Sequence, residues 1–311
     1  MLGFFENLAL RANTHKTYRT HHRSFIQLCS DLDINPVKAL TEDNLCAIIT
    51  LYAENHKHTS IPGFVSALQS LSQQQGFGDL PRGIRYQKVK TGIDNFFAEG
   101  PTPKVALTLD DLCAFYPIID HNTFSGSRNW AALCVAFFGT LRVGEYTGTH
   151  LLKKHVTVHE WGVSIHLTHS KTVLQPRQVD ISARDDLLCP ARALSNYLPF
   201  INTQSPDVPL FLSPAQNNTL MPMSDSEFIT AIRALIKEAF PDRDASTYAG
   251  HSLRRGGATS MHLAGVPDSA IQRHGRWKSN AFRGYLDEHV SSDLRLMPTR
   301  AIKHTASLSH Q

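Results

Sequence analysis

Between residues 251 and 285 the chain carries side chains of the types needed to hold a phosphodiester and attack it. The segment opens His251-Ser252-Leu253-Arg254, continues to Trp277 and reaches Tyr285. Phosphoryl transfer needs positive donors on the non-bridging oxygens, an in-line nucleophile and a proton for the leaving oxygen. Histidine, arginine and an indole N–H can donate, and a phenol can attack. The segment therefore predicts an enzyme that cuts and rejoins DNA through a phosphotyrosine link.

The phenol of Tyr285 needs activation. Its reference pKa is ~10, so it is a poor nucleophile at neutral pH unless its proton is drawn off or its anion is stabilised. Arginines suit this task because each presents a rigid fork of donors that stays charged. The chain has 8 tyrosines. Its place downstream of the other motifs distinguishes Tyr285 from the seven that we expect in the core or on the surface.

The elements that must position these residues divide into two domains. A chain of 311 residues is long enough for two. Gly100-Pro101-Thr102-Pro103 cannot continue a helix and predicts a stiff linker over residues 100–104. We therefore expect a helical domain over residues 1–99 and a second domain over residues 105–311.

The first domain is predicted to be helical. Asn13 or Thr14, Thr41 and Ser60 are placed to begin three helices with apolar residues at helical spacing. Glycines at 76 and 78 end the third helix.

The second domain is predicted to be mainly α with a small antiparallel β insertion, which places the chain in a mainly α (α+β) class. Helices are expected from Thr108, over 130–138, where the sequence is apolar on all sides, over 227–240 and from Ser252 onward. Alternating valines and isoleucines over 156–167 predict a hairpin, and 179–181 predict a third strand.

Composition excludes several classes. Hydrophobic residues make up 41% and charged residues 19%, as in an ordinary globular protein. No apolar run approaches the ~20 residues that span a bilayer, and no secretory signal is visible. We expect a soluble, intracellular protein. The 5 cysteines form no CxxC pair, and HExxH, P-loop and GxGxxG motifs are absent, so neither a metal nor a nucleotide cofactor is expected.

Charge favours a nucleic-acid partner. The net charge is +4 and the pI is about 8.8, which permits such a partner without requiring one. Two stretches of the first domain are basic, and either alone is typical of a solvated face. Together they predict a surface that follows the phosphates of double-stranded DNA. Their basic residues are Arg11, Lys16, Arg19 and Arg23, then Arg82, Arg85, Lys88 and Lys90.

The second domain resembles the tyrosine recombinase (phage-integrase-like) family over residues 105–290. In the run that begins Gly275-Arg276-Trp277-Lys278, tryptophan stands where most members have histidine. This motif is most similar to that of the Crypton and DIRS-type recombinases of eukaryotic mobile elements. The helical domain in front fits the family's core-binding domain in size and position.

The resemblance implies roles for residues outside the opening segment. Arg142 matches the family's Arg-x-x-Glu and would contact the scissile phosphate, while Glu145 would orient neighbouring donors. The alternative for this pair is a surface i, i+3 salt bridge. Lys171, in a hairpin turn, would protonate the departing 5′ oxygen. The alternative for Lys171 is a solvated turn residue.

Within the segment, His251 would hydrogen-bond the phosphate or relay a proton, and Arg254 would be the second arginine of the clamp. Neighbouring helical residues point ~100° apart, so Arg255 is predicted to be structural or to contact the DNA backbone. Trp277 would donate its indole N–H, with His274 as the rival donor. Tyr285 follows Trp277 by eight residues, one fewer than is usual in the family.

The family's activity would be site-specific recombination by a clamp of two domains around duplex DNA. The 3′-phosphotyrosine link conserves the energy of the broken bond, so no metal or nucleotide is needed. Four protomers would assemble on two duplexes, in the nucleus if the host is eukaryotic. The alternatives are a recombinase-derived DNA-binding protein that no longer cuts, a type IB topoisomerase-like relaxing enzyme and, more weakly, a histidine-rich metal hydrolase.

Overall fold

The chain forms two compact units, divided between Pro101 and Thr102 in a computed structural model. The structure describes residues 12–36, 40–97, 105–168, 176–215, 219–284 and 286. The linker predicted at 100–104 lies outside these ranges. Across them, no helix is both long and apolar enough to cross a membrane.

The first unit consists of helices, three of which the sequence predicted. They are α1 Ala12–Asp31, α2 Glu42–Asn55, a 3-10 turn His58–Ser60, α3 Ile61–Gln74 and α4 Ile84–Phe96. The Thr41 side chain accepts from the Asn44 amide at 3.3 Å and so caps α2. Gly76 and Gly78, with φ of +80° and +76°, follow the end of α3. The α4 helix was not predicted.

An aromatic stack lies at the centre of this unit. The rings of Tyr52 and Phe64 are parallel, with centroids 3.9 Å apart. Phe25, Leu45 and Leu68 are buried around them. This core draws on α1, α2 and α3, whereas α4 buries Tyr86 and Ile93.

The second unit is also mostly helical, with two small antiparallel sheets. In chain order its elements are α5 Leu109–Phe115, α6 Phe124–Phe138, α7 Val143–Tyr146, β1 Val156–His159, β2 Gly162–Leu167, β3 Arg177–Ser182, α8 Pro190–Tyr197, β4 Leu212–Pro214, β5 Leu220–Pro222, α9 Asp225–Ala239, α10 Ser252–Leu263 and α11 Asp268–His274. The predicted fold class, mainly α with a small antiparallel insertion, is confirmed. Among these elements α7, α8, β4, β5 and α11 were not predicted.

Helix α6 is the centre of the second unit. It is buried from Ser127 to Phe137 except at Asn129, as its continuous apolar sequence predicted. It begins at Phe124 because the Thr123 side chain caps it by accepting from the Gly126 amide at 3.1 Å. The predicted hairpin and third strand form the sheet β1-β2-β3, in which Val163 pairs with Val158 on one side and with Ile181 on the other.

A small third cluster fixes the end of the described chain. Ala258 on α10, Ile271 on α11 and the buried Phe282 and Leu286 form it, with Trp277 packed against them. Because α10 carries Arg254, this cluster joins that arginine to the segment that leads to residue 286.

Candidate active site

The turn after α6 brings the first predicted arginine into place. Thr140 has a φ of +44°, a left-handed conformation that costs a residue with a Cβ roughly 1–2 kcal/mol. Arg142 then precedes α7, and its amide donates to Glu145 Oε2 at 2.9 Å. Its guanidinium donates to Glu145 Oε1 at 2.8 Å, with side-chain exposures of 16% for Arg142 and 3% for Glu145. This pair is therefore not the surface salt bridge of the alternative interpretation.

The second predicted arginine meets the same turn from α10. Arg254 is only 1% exposed, and its guanidinium donates to the carbonyl oxygens of Thr140 and Gly275. A Cβ on Gly256 or Gly257 would lie 1.7 Å from the Leu107 carbonyl oxygen or 2.1 Å from that of Phe137. The two glycines thus allow α10 to approach α6 closely enough for Arg254 to reach the turn.

A second buried ion pair crosses the site. Arg276, absent from our sequence-based set of site residues, donates to Glu145 Oε2 at 2.9 Å and to the Thr140 carbonyl oxygen at 3.0 Å. It also donates to the carbonyl oxygens of Gly139 at 3.1 Å and His274 at 2.9 Å. Glu145 is therefore held between the guanidiniums of Arg142 and Arg276, and Thr140 O accepts from those of Arg254 and Arg276.

The Arg254 guanidinium lies over the indole ring of Trp277. The Arg254 Cζ atom is 4.0 Å from the centroid of the ring, within the range of a cation–π contact. The ring also fills the space where a side chain at Gly275 would begin, since a Cβ there would be 1.4 Å from the indole. Gly275-Arg276-Trp277 thus forms one packed unit around Arg254.

The cluster carries more positive than negative charge. Burial raises the pKa of Glu145, but Arg276 and Arg142 more than offset it, so that pKa is lowered and the carboxylate stays ionised. Burial lowers the pKa of Arg276, as do the charges of Arg142 and Arg177, while Glu145 opposes the shift. With Arg254 included, several guanidiniums surround one carboxylate. Such a site favours an anion.

The structure places the remaining residues of the predicted site as follows. His251 is exposed and stands at the N-cap of α10, three residues before Arg254. Lys171 and Tyr285 lie outside the described residues. On either side of Tyr285, the Gly284 carbonyl oxygen accepts from Arg255 at 3.1 Å, and Leu286 is buried. This contact favours the structural alternative for Arg255.

His274 is turned to the backbone of α6. Its Nε2 atom lies 2.7 Å from the Phe138 carbonyl oxygen. Because a carbonyl only accepts, Nε2 must be the donor in this bond. Trp277 contacts the Arg254 guanidinium. Across the described ranges, no three His, Cys, Asp or Glu residues are grouped so that they could hold a metal ion.

The basic residues predicted to contact DNA from the first unit are arranged on α1 and α4. Lys16, Arg19 and Arg23 are exposed at helical spacing on α1, and Arg11 lies outside the described residues. On α4 and just before it, three cations are engaged: Arg85 with Asp43, Lys90 with Asp94 at 2.5 Å and Arg82 with Gln69 at 3.1 Å. An open groove of about 740 Å³ runs along this face, lined by Arg82, Gly83, Ile84, Gln87, Lys88, Thr91, Gly92 and Asn95.

Comparison with known proteins gives one sequence relative and several similar folds. No family model matches the chain. An integrase/recombinase xerD homolog from Selenomonas ruminantium is 25% identical over 275 residues, covering 86% of this chain and 79% of that protein.

Two solved structures have the same fold. The Tn1549 transposon integrase in complex with transposon right-end DNA has a TM-score of 0.62 at 15% identity, over 93% of this chain and 95% of that one. The XerH site-specific recombinase bound to palindromic difH substrate, in a post-cleavage complex, has a TM-score of 0.62 at 17% identity, over 93% and 79%. The chain has a tyrosine recombinase fold. The sequence relative and these folds together support the tyrosine recombinase family for it.

Arg276 is the residue of this recombinase fold that sequence reasoning missed. It stands beside Trp277, and its partners Gly139, Thr140 and Glu145 are 131 to 137 residues away in the chain. One signal could have found it: Arg276, unlike Trp277, precedes Tyr285 by the nine residues usual between the family histidine and the tyrosine. That spacing marks it as a residue of the same loop, although its guanidinium binds Glu145.

Replacing Gly275 by alanine is expected to displace Trp277. The added Cβ would lie 1.4 Å from the indole, so ring and backbone cannot both stay in place. Overpacking of this kind costs ~1–3 kcal/mol. Urea unfolding should show that loss, and tryptophan fluorescence of the folded variant should shift. Gly92→Ala is the control, because nothing lies within 4 Å of a Cβ there. An unchanged spectrum and stability in Gly275→Ala would contradict this packing.

Stability is expected to fall when His274 becomes protonated. Burial lowers the pKa of His274 below the usual histidine value of ~6.5, and Arg276 and Arg254 lower it further, although the bond to Phe138 O opposes them. Below ~6.5 the unfolded chain therefore binds a proton that the folded chain resists. The stability that neutral His274 contributes is complete above pH ~6.5. It is lost as the pH falls from there towards the lower pKa that His274 has in the folded chain.

Urea unfolding at about pH 7.5 and about pH 5.5 measures this effect. His274→Gln can still donate to Phe138 O but does not titrate near neutral pH. It should therefore lose less stability between the two pH values than the wild type does. Equal losses would show that His274 does not contribute.

Proposed function

We propose that this chain is a site-specific DNA recombinase that cleaves and rejoins DNA through a 3′-phosphotyrosine intermediate. The observation that carries this proposal is the convergence of Arg142, Arg254 and Trp277 around the turn at Thr140. These residues come from three separate parts of the sequence, and each is a donor that the reaction requires. The xerD homolog and the recombinase fold support the same activity.

In this mechanism the two arginines hold the non-bridging oxygens of the scissile phosphate. Arg142 enters from α7 and Arg254 from α10, and each guanidinium already has one edge fixed, by Glu145 or by backbone carbonyls. Prior orientation of this kind lowers the barrier because the donors need not reorganise as charge develops. Trp277, packed on Arg254, would donate its indole N–H to the same phosphate.

Tyr285 would then attack phosphorus in line with the 5′ oxygen. The phenolic proton passes to His251 or to solvent, a bond forms from the tyrosine oxygen to phosphorus, and the bond to the 5′ oxygen breaks. Lys171 would supply the proton that the 5′ oxygen takes. A second 5′ hydroxyl reverses these steps and joins new strands. Because one phosphoester replaces another, the step needs no metal ion or nucleotide.

Double-stranded DNA is the proposed partner. The Tn1549 integrase and XerH structures are both complexes with DNA. In this chain the exposed cations on α1 and the groove along α4 offer positive charge to a phosphate backbone. We propose that the two units close as a clamp on the duplex and that four protomers act on two duplexes. The Gly-Arg-Trp-Lys motif at 275–278 supports a Crypton or DIRS-type mobile element as the source of the protein.

Covalent capture tests the proposal. The protein is incubated with a random duplex library, denatured, and separated from non-covalent DNA, and the bound fragments are sequenced. Adducts that share a sequence would support recombination and would reveal the target site. Adducts without a shared sequence would favour a topoisomerase-like relaxing enzyme. Salt-sensitive binding without adducts would favour a DNA-binding protein that does not cut.

A further inference from the structure

A single buried side chain connects the segments that carry the two arginines of the clamp. Arg276 lies in the loop after α11, in the left-handed region with a φ of +60°. Its guanidinium reaches the turn at Gly139 and Thr140 and the Glu145 carboxylate on α7, with all four donor–acceptor distances between 2.9 and 3.1 Å. Both side chains of the Arg276–Glu145 pair are 3% exposed.

This network leads to both arginines of the clamp. Glu145, which accepts from Arg276 through Oε2, accepts from the Arg142 guanidinium through Oε1. The Thr140 carbonyl oxygen, which accepts from Arg276, also accepts from Arg254. A shift of Arg276 would therefore be passed to Arg142 through the carboxylate and to Arg254 through the turn.

The network also contains unfavourable features that a purely structural contact would not need. Thr140 and Arg276 both hold a positive φ, which glycine would adopt with less strain. Arg276 Nε and Thr140 Oγ1 are buried and, among the described residues, have no hydrogen-bond partner. Strained and unsatisfied groups of this kind concentrate at functional sites.

We infer that Arg276 is a positioning residue that sets the Arg142 and Arg254 guanidiniums in the geometry for phosphate binding. The inference rests on the proposed function, since it assigns Arg276 to the same site. In this assignment Arg276 does not itself bind the phosphate. It acts through Glu145 and through the Thr140 carbonyl, which both accept from its Nη2 atom, while its Nη1 atom is held by the carbonyl oxygens of Gly139 and His274.

The test compares two arginines that each bind a buried carboxylate in the same unit. Arg276→Gln removes the guanidinium that binds Glu145. Arg243→Gln removes the guanidinium that binds Asp111 at 2.6 Å, a pair that lies outside the network around Arg276. DNA affinity and single-turnover cleavage are measured on the sites found by covalent capture. We expect Arg276→Gln to slow cleavage by about 30-fold or more while affinity changes by less than about threefold, because it misaligns oriented donors. Arg243→Gln should leave the cleavage rate within about threefold of wild type, since it lies outside the network.

A double variant guards against misfolding. Arg276→Gln alone leaves Glu145 without one of its two cations, whereas Glu145→Gln/Arg276→Gln leaves no buried carboxylate to compensate. If both residues act through one network, the double variant cleaves about as slowly as Arg276→Gln alone. The losses of cleavage rate caused by Glu145→Gln and by Arg276→Gln are then not additive. Additive effects, or a cleavage rate in Arg276→Gln equal to that of Arg243→Gln, would overturn the inference.

A measurement without DNA separates this inference from the proposed function. The chain has 3 tryptophans, and Trp130→Phe/Trp161→Phe leaves Trp277 as the only one. In that background Arg276→Gln should increase acrylamide quenching of Trp277 about twofold, since the loop that packs the indole on Arg254 is released. If the wild type forms no adducts, the proposed function fails, and the quenching result alone decides the positioning role. Unchanged quenching overturns that role.

Discussion

Tyr285→Phe is expected to abolish covalent capture and to leave DNA binding within about twofold of the wild type. The change removes one oxygen atom, the atom that would attack phosphorus, and no other tyrosine is expected to replace it. Loss of the nucleophile should exceed the effect of any other substitution in the site, because the remaining donors can hold the phosphate but cannot form the link. Denaturing gel analysis of adducts on a captured site measures the first effect, and filter binding measures the second.

The neighbours of Tyr285 make this substitution a clean test. Phe282 and Leu286 are buried in the cluster with Ile271, and the Gly284 carbonyl is held by Arg255, so the surrounding backbone has its own anchors. Tyr116→Phe is the matched control, a partly exposed tyrosine of the same unit whose adduct yield should not change. Adducts that persist in Tyr285→Phe and disappear in Tyr116→Phe, or persist in both, would refute the assignment of the nucleophile.

Local signals explain which elements were predictable. The caps at Thr41, Thr108 and Thr123 lie immediately before their helices, and each accepts a hydrogen bond from an amide three residues later. The alternating valines of β1 and β2 face the core as their period of two requires. Such information lies within a few residues of the element it determines, so it can be read from the sequence.

The elements that escaped prediction depend on distant partners. Helix α4 buries Tyr86 and Ile93, too few apolar residues for a visible stripe, and the Glu42 carboxylate accepts from the Tyr86 amide at 3.0 Å across 44 residues. The role of Arg276 depends on Glu145 in the same way. A basic residue beside a tryptophan gives no local sign that it will be buried. Of the candidate site, the resemblance to the family supplied the residue types, and the tertiary contacts supplied the network that orients them.

The second large effect is expected from Arg254→Lys. Lysine keeps the positive charge but is a compact ammonium without the fork that lets Arg254 bind the Thr140 and Gly275 carbonyls at once. It also lacks the flat face on which Trp277 lies 4.0 Å away. We expect cleavage to fall by ~10²-fold or more, as when one preorganised donor is removed from a charged transition state. Single-turnover cleavage on a captured site measures the effect.

Arg128→Lys distinguishes a catalytic effect from a loss of folding. Arg128 is also buried, donates to the Leu212 carbonyl at 3.0 Å and pairs with Glu227 at 2.9 Å, so the same substitution should cost comparable stability there. Both variants are compared by urea unfolding. Cleavage is then measured without urea, at a temperature at which each variant is folded. If Arg254→Lys cleaves as fast as Arg128→Lys, Arg254 does not clamp the phosphate, and its contacts serve only to join α10 to the turn. If only Arg254→Lys is slow, the two carbonyl bonds and the indole hold a guanidinium whose oriented donors the reaction uses.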